Sequence, residues 1–274
     1  MALHDKITKQ EIEKIVSLYK ESKSSHRVAK QIGRSQHAVL RHLHKAVPEL
    51  VQNNRTTVPN NTRRKKYTVN HNYFETIDTQ EKAYILGFIY ADGYVNEKGC
   101  LEIGLHPKDV SVLEFIKTQL ESNALIKFKH NKKSYSKEGL MILQVHSKKI
   151  TNDLGKLGCV QNKTFKITFP TFLEDTLVRH FVRGYFDGDG CIHLCKRNNG
   201  AILNFASNLT FLEGLNKYLS YQLQKDCKRI RKNKNIGYLI FSGKEDIKSI
   251  GNLMYTGNTY CLDRKYNKML KLLN

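Results

Sequence analysis

The chain contains no apolar run of about 18 or more residues, which excludes a membrane-spanning helix. Met1 to Lys9 has none of the apolar character of a secretory signal. The six cysteines show no framework spacing, and at 274 residues the chain needs no covalent staples to bury a core. These absences set the expectation of a reduced, intracellular protein, in the cytoplasm or nucleoid or in an organelle. Acidic residues are also scarce: 25 Asp plus Glu face 46 Lys plus Arg, a formal net charge of +21. Solubility does not require so one-sided a surface, whereas a polyanionic partner does, and nucleic acid is the commonest. Charge alone does not separate DNA from RNA. Cys191, His193 and Cys195 have the residue types of a metal site. They alternate along one strand, about 6.6 Å apart on one face, too far for one tetrahedral zinc with ligands at about 2.0–2.3 Å.

Three short helices are expected over residues 1–47. Ile12, Ile15, Val16 and Tyr19 have helical spacing. Ser24 or Ser25 can cap a second helix that ends at Gly33, and Ser35 a third with Val39, Leu40 and Leu43 inward. The stretch from Ser25 to Ser35 resembles a helix-turn-helix, with Ala29 at the helix crossing and Gly33 at the turn. That resemblance would turn Gln36, His37, Arg41 and His44 outward, toward base edges and phosphates. Residues 48–72 lack an apolar period and read as a basic linker whose Arg63 and Arg64 can follow a phosphate backbone.

From about residue 77 the chain repeats itself. Ala83-Tyr84-Ile85-Leu86-Gly87-Phe88-Ile89-Tyr90-Ala91-Asp92-Gly93 has a counterpart in His180-Phe181-Val182-Arg183-Gly184-Tyr185-Phe186-Asp187-Gly188-Asp189-Gly190, and the spacing is 189 − 92 = 97 residues. After each Gly comes an alternating hairpin, at 94–106 and 191–206, then a helix from near Pro107 or Leu209. A second hairpin with one basic strand follows, carrying Lys127 and Lys129 or Arg229 and Arg231, and a closing helix near 147–157 or 244–254. The expected boundaries are 73–170 for the first repeat and 171–274 for the second.

If the two helices cross so that their carboxylates sit side by side, the crossing needs small residues, and Gly87 and Gly184 would occupy it. Ala91 and Gly188 let the helix ends approach. Asp92 and Asp189 would then repel one another unless a cation lies between them, and oxygen ligands beside a phosphate suit Mg²⁺.

The paired segments resemble the LAGLIDADG motifs of the homing endonuclease family. The resemblance spans about 200 residues and includes the order of elements, and Tyr260 to Tyr266 resembles the tail of phage- and intron-encoded members. It implies an α+β protein with two pseudo-symmetric αββαββα repeats forming a DNA-binding saddle, behind an all-α three-helix domain. It implies a site-specific, double-strand DNA endonuclease that leaves short 3′ overhangs and belongs to an intron or phage mobile element. Asp92 and Asp189, with Ala91 and Gly188 before them, would hold Mg²⁺ or Mn²⁺. Lys163 and Lys265 match the basic residue near each scissile phosphate, with Lys166 a rival for Lys163. Asn96, Lys98, Lys127, Lys129, Gln144, His146, His193, Cys195, Arg197, Arg229 and Arg231 would lie on the DNA face of the strands. With both halves in one chain, a monomer acting on an extended asymmetric duplex site is expected. A non-cleaving DNA-binding regulator and an RNA-splicing maturase are the alternatives on the same fold. The sequence departs from the family at Leu86 and Arg183, both bulky for an interface, and at Tyr90, where the motif has its first acid and Asp187 keeps it. Arg183 is therefore expected to point outward or find a partner.

Overall fold

In a computed structural model, residues 7–22, 24–48, 50, 67–130, 139–195 and 200–273 are described. Arg63, Arg64 and Arg197 lie outside these residues. The chain divides into two compact units between residues 64 and 65. Among the described residues no helix is long and apolar enough to cross a membrane.

The smaller unit holds α1 (Lys9–Ser22), α2 (Ser25–Ile32) and α3 (Gln36–Ala46). The caps explain where they start and stop. Ser24 Oγ accepts from the Arg27 N–H and Ser35 Oγ from the Ala38 N–H, each satisfying a first-turn donor. Gly33 ends α2 at φ +70°, a left-handed conformation costly for a side chain with Cβ. Ile15, Tyr19, Val28, Ala29, Val39 and Leu43 form one buried cluster, which Leu50 also packs against. Gln36, His37, Arg41 and His44 are exposed.

The larger unit repeats one pattern. The first copy runs α4 (Gln80–Asp92), β1 (Gly93–Asn96), β2 (Cys100–Leu105), α5 (Val110–Gln119), β3 (Lys127–Lys129), β4 (Leu140–His146) and α6 (Lys148–Lys156). The second runs α7 (Asp175–Asp189), β5 (Gly190–Leu194), β6 (Ala201–Ser207), α8 (Leu209–Leu223), β7 (Arg231–Asn233), β8 (Ile236–Phe241) and α9 (Lys244–Tyr255), followed by α10 (Asp263–Leu273). Each copy is αββαββα, and its strands form an antiparallel sheet in the order β1-β2-β4-β3 or β5-β6-β8-β7. One face of each sheet, with Val95, Ile103 and Val145 or Ile192, Leu203 and Leu239, enters a single core built around α4 and α7. The other face is open.

Two local expectations change. Residues 67–72, read as linker, are bound to the first repeat: the Tyr67 hydroxyl accepts from the His146 N–H at 2.6 Å, and the Asn70 N–H donates to Leu120 O at 2.8 Å. Tyr67 and Val69 also pack against the core, apolar contacts too few to show as a period. Arg229 precedes β7, which starts at Arg231, so only the latter belongs to the strand.

Candidate active site

α4 and α7 cross at backbone contact distance. A Cβ on Gly87 would stand 2.0 Å from Phe181 O, and one on Gly184 only 1.9 Å from Tyr84 O. No other residue type fits there without the helices moving apart. The same closeness continues to the helix ends. A Cβ on Gly188 would fall 2.3 Å from Ala91 Cβ and 3.2 Å from Asp92 Oδ2, so the carboxylate of one helix lies over the backbone of the other. Asp92 and Asp189 end the two helices side by side in sequence role, and β1 and β5 leave directly from them.

Both aspartates are reached by solvent, yet protein closes in around their carboxyl groups. That desolvation, with the Asp189 charge adding to it, raises the Asp92 carboxyl to about 6 against the pull of Lys265 and Lys163. Desolvation raises Asp189 as well, opposed by the same two lysines.

One lysine comes from each repeat, and both act on the two aspartates. Lys163 Nζ donates to Ala91 O at 2.8 Å. Lys265 is buried and donates to Phe186 O at 2.6 Å, Gly188 O at 3.0 Å and Gly190 O at 2.6 Å. Burial lowers both, Lys265 to about 8, while neighbouring carboxylates work against the shift. Lys166 instead turns to Gln161 O at 3.3 Å. A cavity of about 310 Å³ opens beside Lys163 and Asp189, lined also by Tyr185 and Ser207.

The position before each small residue acts as an anchor. Asp187 is buried and accepts from the Tyr84 hydroxyl at 2.9 Å, the Tyr255 hydroxyl at 3.1 Å and the Leu262 N–H at 2.8 Å. Its counterpart Tyr90 donates its hydroxyl to Leu157 O. Each thus ties down the segment that leads to a lysine. Arg183 is fully buried rather than outward; it donates to Tyr260 O at 3.0 Å and Met254 O at 2.9 Å and lies over the Tyr84 ring. Leu86 is fully buried in the core. Sequence reasoning missed the Asp187 anchor, α10 and the role of Arg183, because their partners lie 68 to 103 residues away in the chain.

Residues 176–253 match the family model for the LAGLIDADG-like domain. That match lies within the second repeat. A comparison with curated proteins gives no match. Among solved structures, the homing endonuclease I-WcaI bound to its DNA recognition sequence is similar at 19% identity and TM-score 0.49, over 72% of this chain and 90% of that one. The LAGLIDADG meganuclease I-AabMI bound to uncleaved DNA is similar at 13% identity and TM-score 0.47, over 69% and 88%. The I-SmaMI LAGLIDADG homing endonuclease bound to cleaved DNA is similar at 14% identity and TM-score 0.45, over 72% and 88%.

Helices α4 and α7 carry the two aspartates, and the sheets flank them. In the first sheet, the register puts Asn96, Gln144, His146, Lys127 and Lys129 on the open face, with Tyr94 and Glu102. Gln144 Nε2 donates to Glu102 there. Lys98 is exposed in the β1–β2 turn. In the second sheet, Cys191, His193, Asn204, Tyr238 and Arg231 share the open face, while Cys195 is half-buried just past β5.

Could the residues hold a divalent cation? Their donors are all oxygens: two carboxylates and the Ala91 and Gly188 carbonyls. That set suits a hard cation. Among the described residues no group of three His, Cys, Asp or Glu side chains gathers, so the protein would leave most coordination positions to phosphate and water. Mg²⁺ is commonly bound that way.

Proposed function

We propose that the protein is a metal-dependent DNA endonuclease that cuts both strands of an extended, asymmetric duplex site, acts as a monomer and leaves short 3′ overhangs. The observation that carries this reading is the paired site itself: two helices in backbone contact present Asp92 and Asp189, and one lysine from each repeat, Lys163 and Lys265, acts on both carboxylates. A duplex has two scissile phosphates related by approximate two-fold symmetry, and two pseudo-symmetric repeats suit it. When bound, Mg²⁺ or Mn²⁺ would stabilise the attacking and leaving oxygens of phosphodiester hydrolysis. Asp92 and Asp189 would supply the negative charge that holds it, with the Ala91 and Gly188 carbonyls beside them. Burial raises both carboxyls, with the Asp189 charge adding to the shift at Asp92, and a bound cation would offset these costs. Lys163 and Lys265 place positive charge beside this centre, where a phosphate oxygen gathers negative charge. The cavity next to Asp189 gives a water molecule room.

The open sheet faces bind duplex. Lys127, Lys129, Arg229 and Arg231 take phosphates, while Asn96, Gln144, His146 and His193 read base edges. Gln36, His37 and Arg41 on α3 add a second contact through the helix-turn-helix, with residues around Arg63 and Arg64 as the basic link between them.

The test is a randomised duplex library incubated with the protein and Mg²⁺, with newly formed ends sequenced. Ends clustering on one sequence are expected. Asp92→Asn and Asp189→Asn should each bind that duplex and produce no double-strand ends. Normal cutting by either variant overturns the assignment. Tight binding by the wild type without any cutting identifies a regulator, and preference for structured RNA a maturase.

A further inference from the structure

The segments that carry the two lysines rest on their own repeats and are each held by the other repeat as well. Lys163 begins a short 3₁₀ turn, Lys163–Phe165, at the end of the first repeat. That turn is gripped from the second repeat: Asn208 Nδ2 donates to Thr164 O at 3.0 Å and to Ile167 O at 2.9 Å. Just beyond, Phe169 packs edge-on against Phe211 of α8.

The lysine of the second repeat is held the mirror way. Arg264, next to Lys265, donates its Nε to both carboxylate oxygens of Asp109 in the first repeat, at 2.9 and 3.0 Å. Tyr260 stacks on Phe115 of α5 with ring centres 3.8 Å apart and planes 3° from parallel. Thr259 Oγ1 donates to Glu81 Oε1 of α4 at 2.6 Å.

These two grips occupy equivalent places. Asn208 precedes α8 and Asp109 precedes α5, so each is the N-cap position of the same helix in its repeat. Phe211 and Phe115 lie on those same helices. Two unlike chemistries, an amide on carbonyls and a carboxylate on a guanidinium, thus meet one geometric need at symmetry-related positions.

The geometry points to Asn208 and the Asp109–Arg264 pair as crosswise positioning residues, each repeat setting the lysine that the other contributes. Resting on the endonuclease reading, it follows that each grip governs cleavage of one strand. Neither Asn208 nor Asp109 touches the aspartates, so their effect passes through the lysine.

The test separates positioning from cleavage. Full-length protein is acetylated with trace acetic anhydride, and each lysine is followed by mass spectrometry. Asn208→Asp keeps the oxygen that caps the Phe211 N–H of α8 and replaces the donor with a carboxylate facing two carbonyls. Lys163 acetylation should rise roughly ten-fold, the opening expected when two hydrogen bonds are lost, while Lys265 stays constant. Asp109→Ala should do the reverse; Asp109 makes no side-chain cap, so α5 keeps its start. On duplex recovered with the wild type, the two variants should become slow on opposite strands. Equal changes at both lysines, no change at either, or equal slowing of both strands overturns the crosswise assignment. Should the wild type cut no duplex, the endonuclease reading falls while the acetylation pattern still decides the inference.

Discussion

Replacing Gly184 by Ala adds one methyl group where the structure has no space for it. The new Cβ would stand 1.9 Å from Tyr84 O, and ordinary contact begins near 3.4 Å. The obstacle is backbone: the next nearest atoms are Tyr84 C at 2.8 Å and the Phe88 N at 3.0 Å. No rotamer change relieves this contact, so the helices must part by about 1.5 Å, the difference between those two distances. Overpacking of this kind costs about 1–3 kcal/mol, and an immovable neighbour puts the value at the upper end. Ala returns up to ~1 kcal/mol of helix propensity, leaving a net loss of about 2 kcal/mol. Gly155→Ala is the matched control, since Gly155 lies in α6 with nothing within 4 Å of its Cβ. It should gain up to ~1 kcal/mol. A difference of about 3 kcal/mol between the variants corresponds to roughly 6–12 °C in Tm for a unit of this size. Tyr19 is the one tyrosine before residue 65 and the chain has no Trp, so near-ultraviolet circular dichroism follows the larger unit. A Gly184→Ala protein melting at or above the wild type would show that the helices do not touch as described.

Stability should fall as pH rises from about 4 to 6, because the folded state still binds protons at Asp187 and Asp92, each raised to about 6, that the unfolded chain has released; Asp187→Asn should flatten the slope of urea-derived stability in that window, and an unchanged slope contradicts the buried-anion assignment. From about pH 8 to 10.5 the sign reverses: the unfolded chain keeps a proton that Lys265, lowered to about 8, has lost, so stability should rise, and Lys265→Met should abolish that rise. Duplex affinity should drop steeply with salt, with a log–log slope near −0.9 per phosphate contact; a flat response in a filter-binding titration is incompatible with basic sheet faces tracking a backbone. Arg41→Ala should weaken duplex binding severalfold, as loss of one charged phosphate contact does, and leave the single-turnover cleavage rate at saturating enzyme unchanged; a slower rate would place α3 in the chemistry.

Much of this architecture was legible in the residues, for identifiable reasons. Helix caps are local chemistry, so Ser24 or Ser25, Gly33 and Ser35 marked the ends of α2 and the start of α3 without any tertiary information, and Ser24 proves to be the cap. The 97-residue repeat placed Gly87 with Gly184 and Asp92 with Asp189, because a helix crossing needs small residues at fixed intervals. What stayed hidden depends on partners distant in sequence. Arg183 looks like a surface residue until the Met254 and Tyr260 carbonyls arrive to receive it. Asn208 and Asp109 look like ordinary helix-start residues, and nothing beside them in the chain says that one binds Thr164 and the other Arg264. α10 was missed because its helical face includes Lys265, a charge whose burial makes sense only beside three carbonyl groups.

The contact of α4 with α7 has one further consequence. Because the pair is registered by main-chain atoms at Gly87 and Gly184, its alignment is indifferent to most neighbouring side chains. The two halves can differ widely, Leu86 against Arg183 and Tyr90 against Asp187, without displacing the acids at the helix ends. Such a frame separates what must be kept from what is free to vary: on the proposed endonuclease reading, substitutions on either sheet would retune which duplex is read, one half at a time, while the acids stay where the two glycines set them.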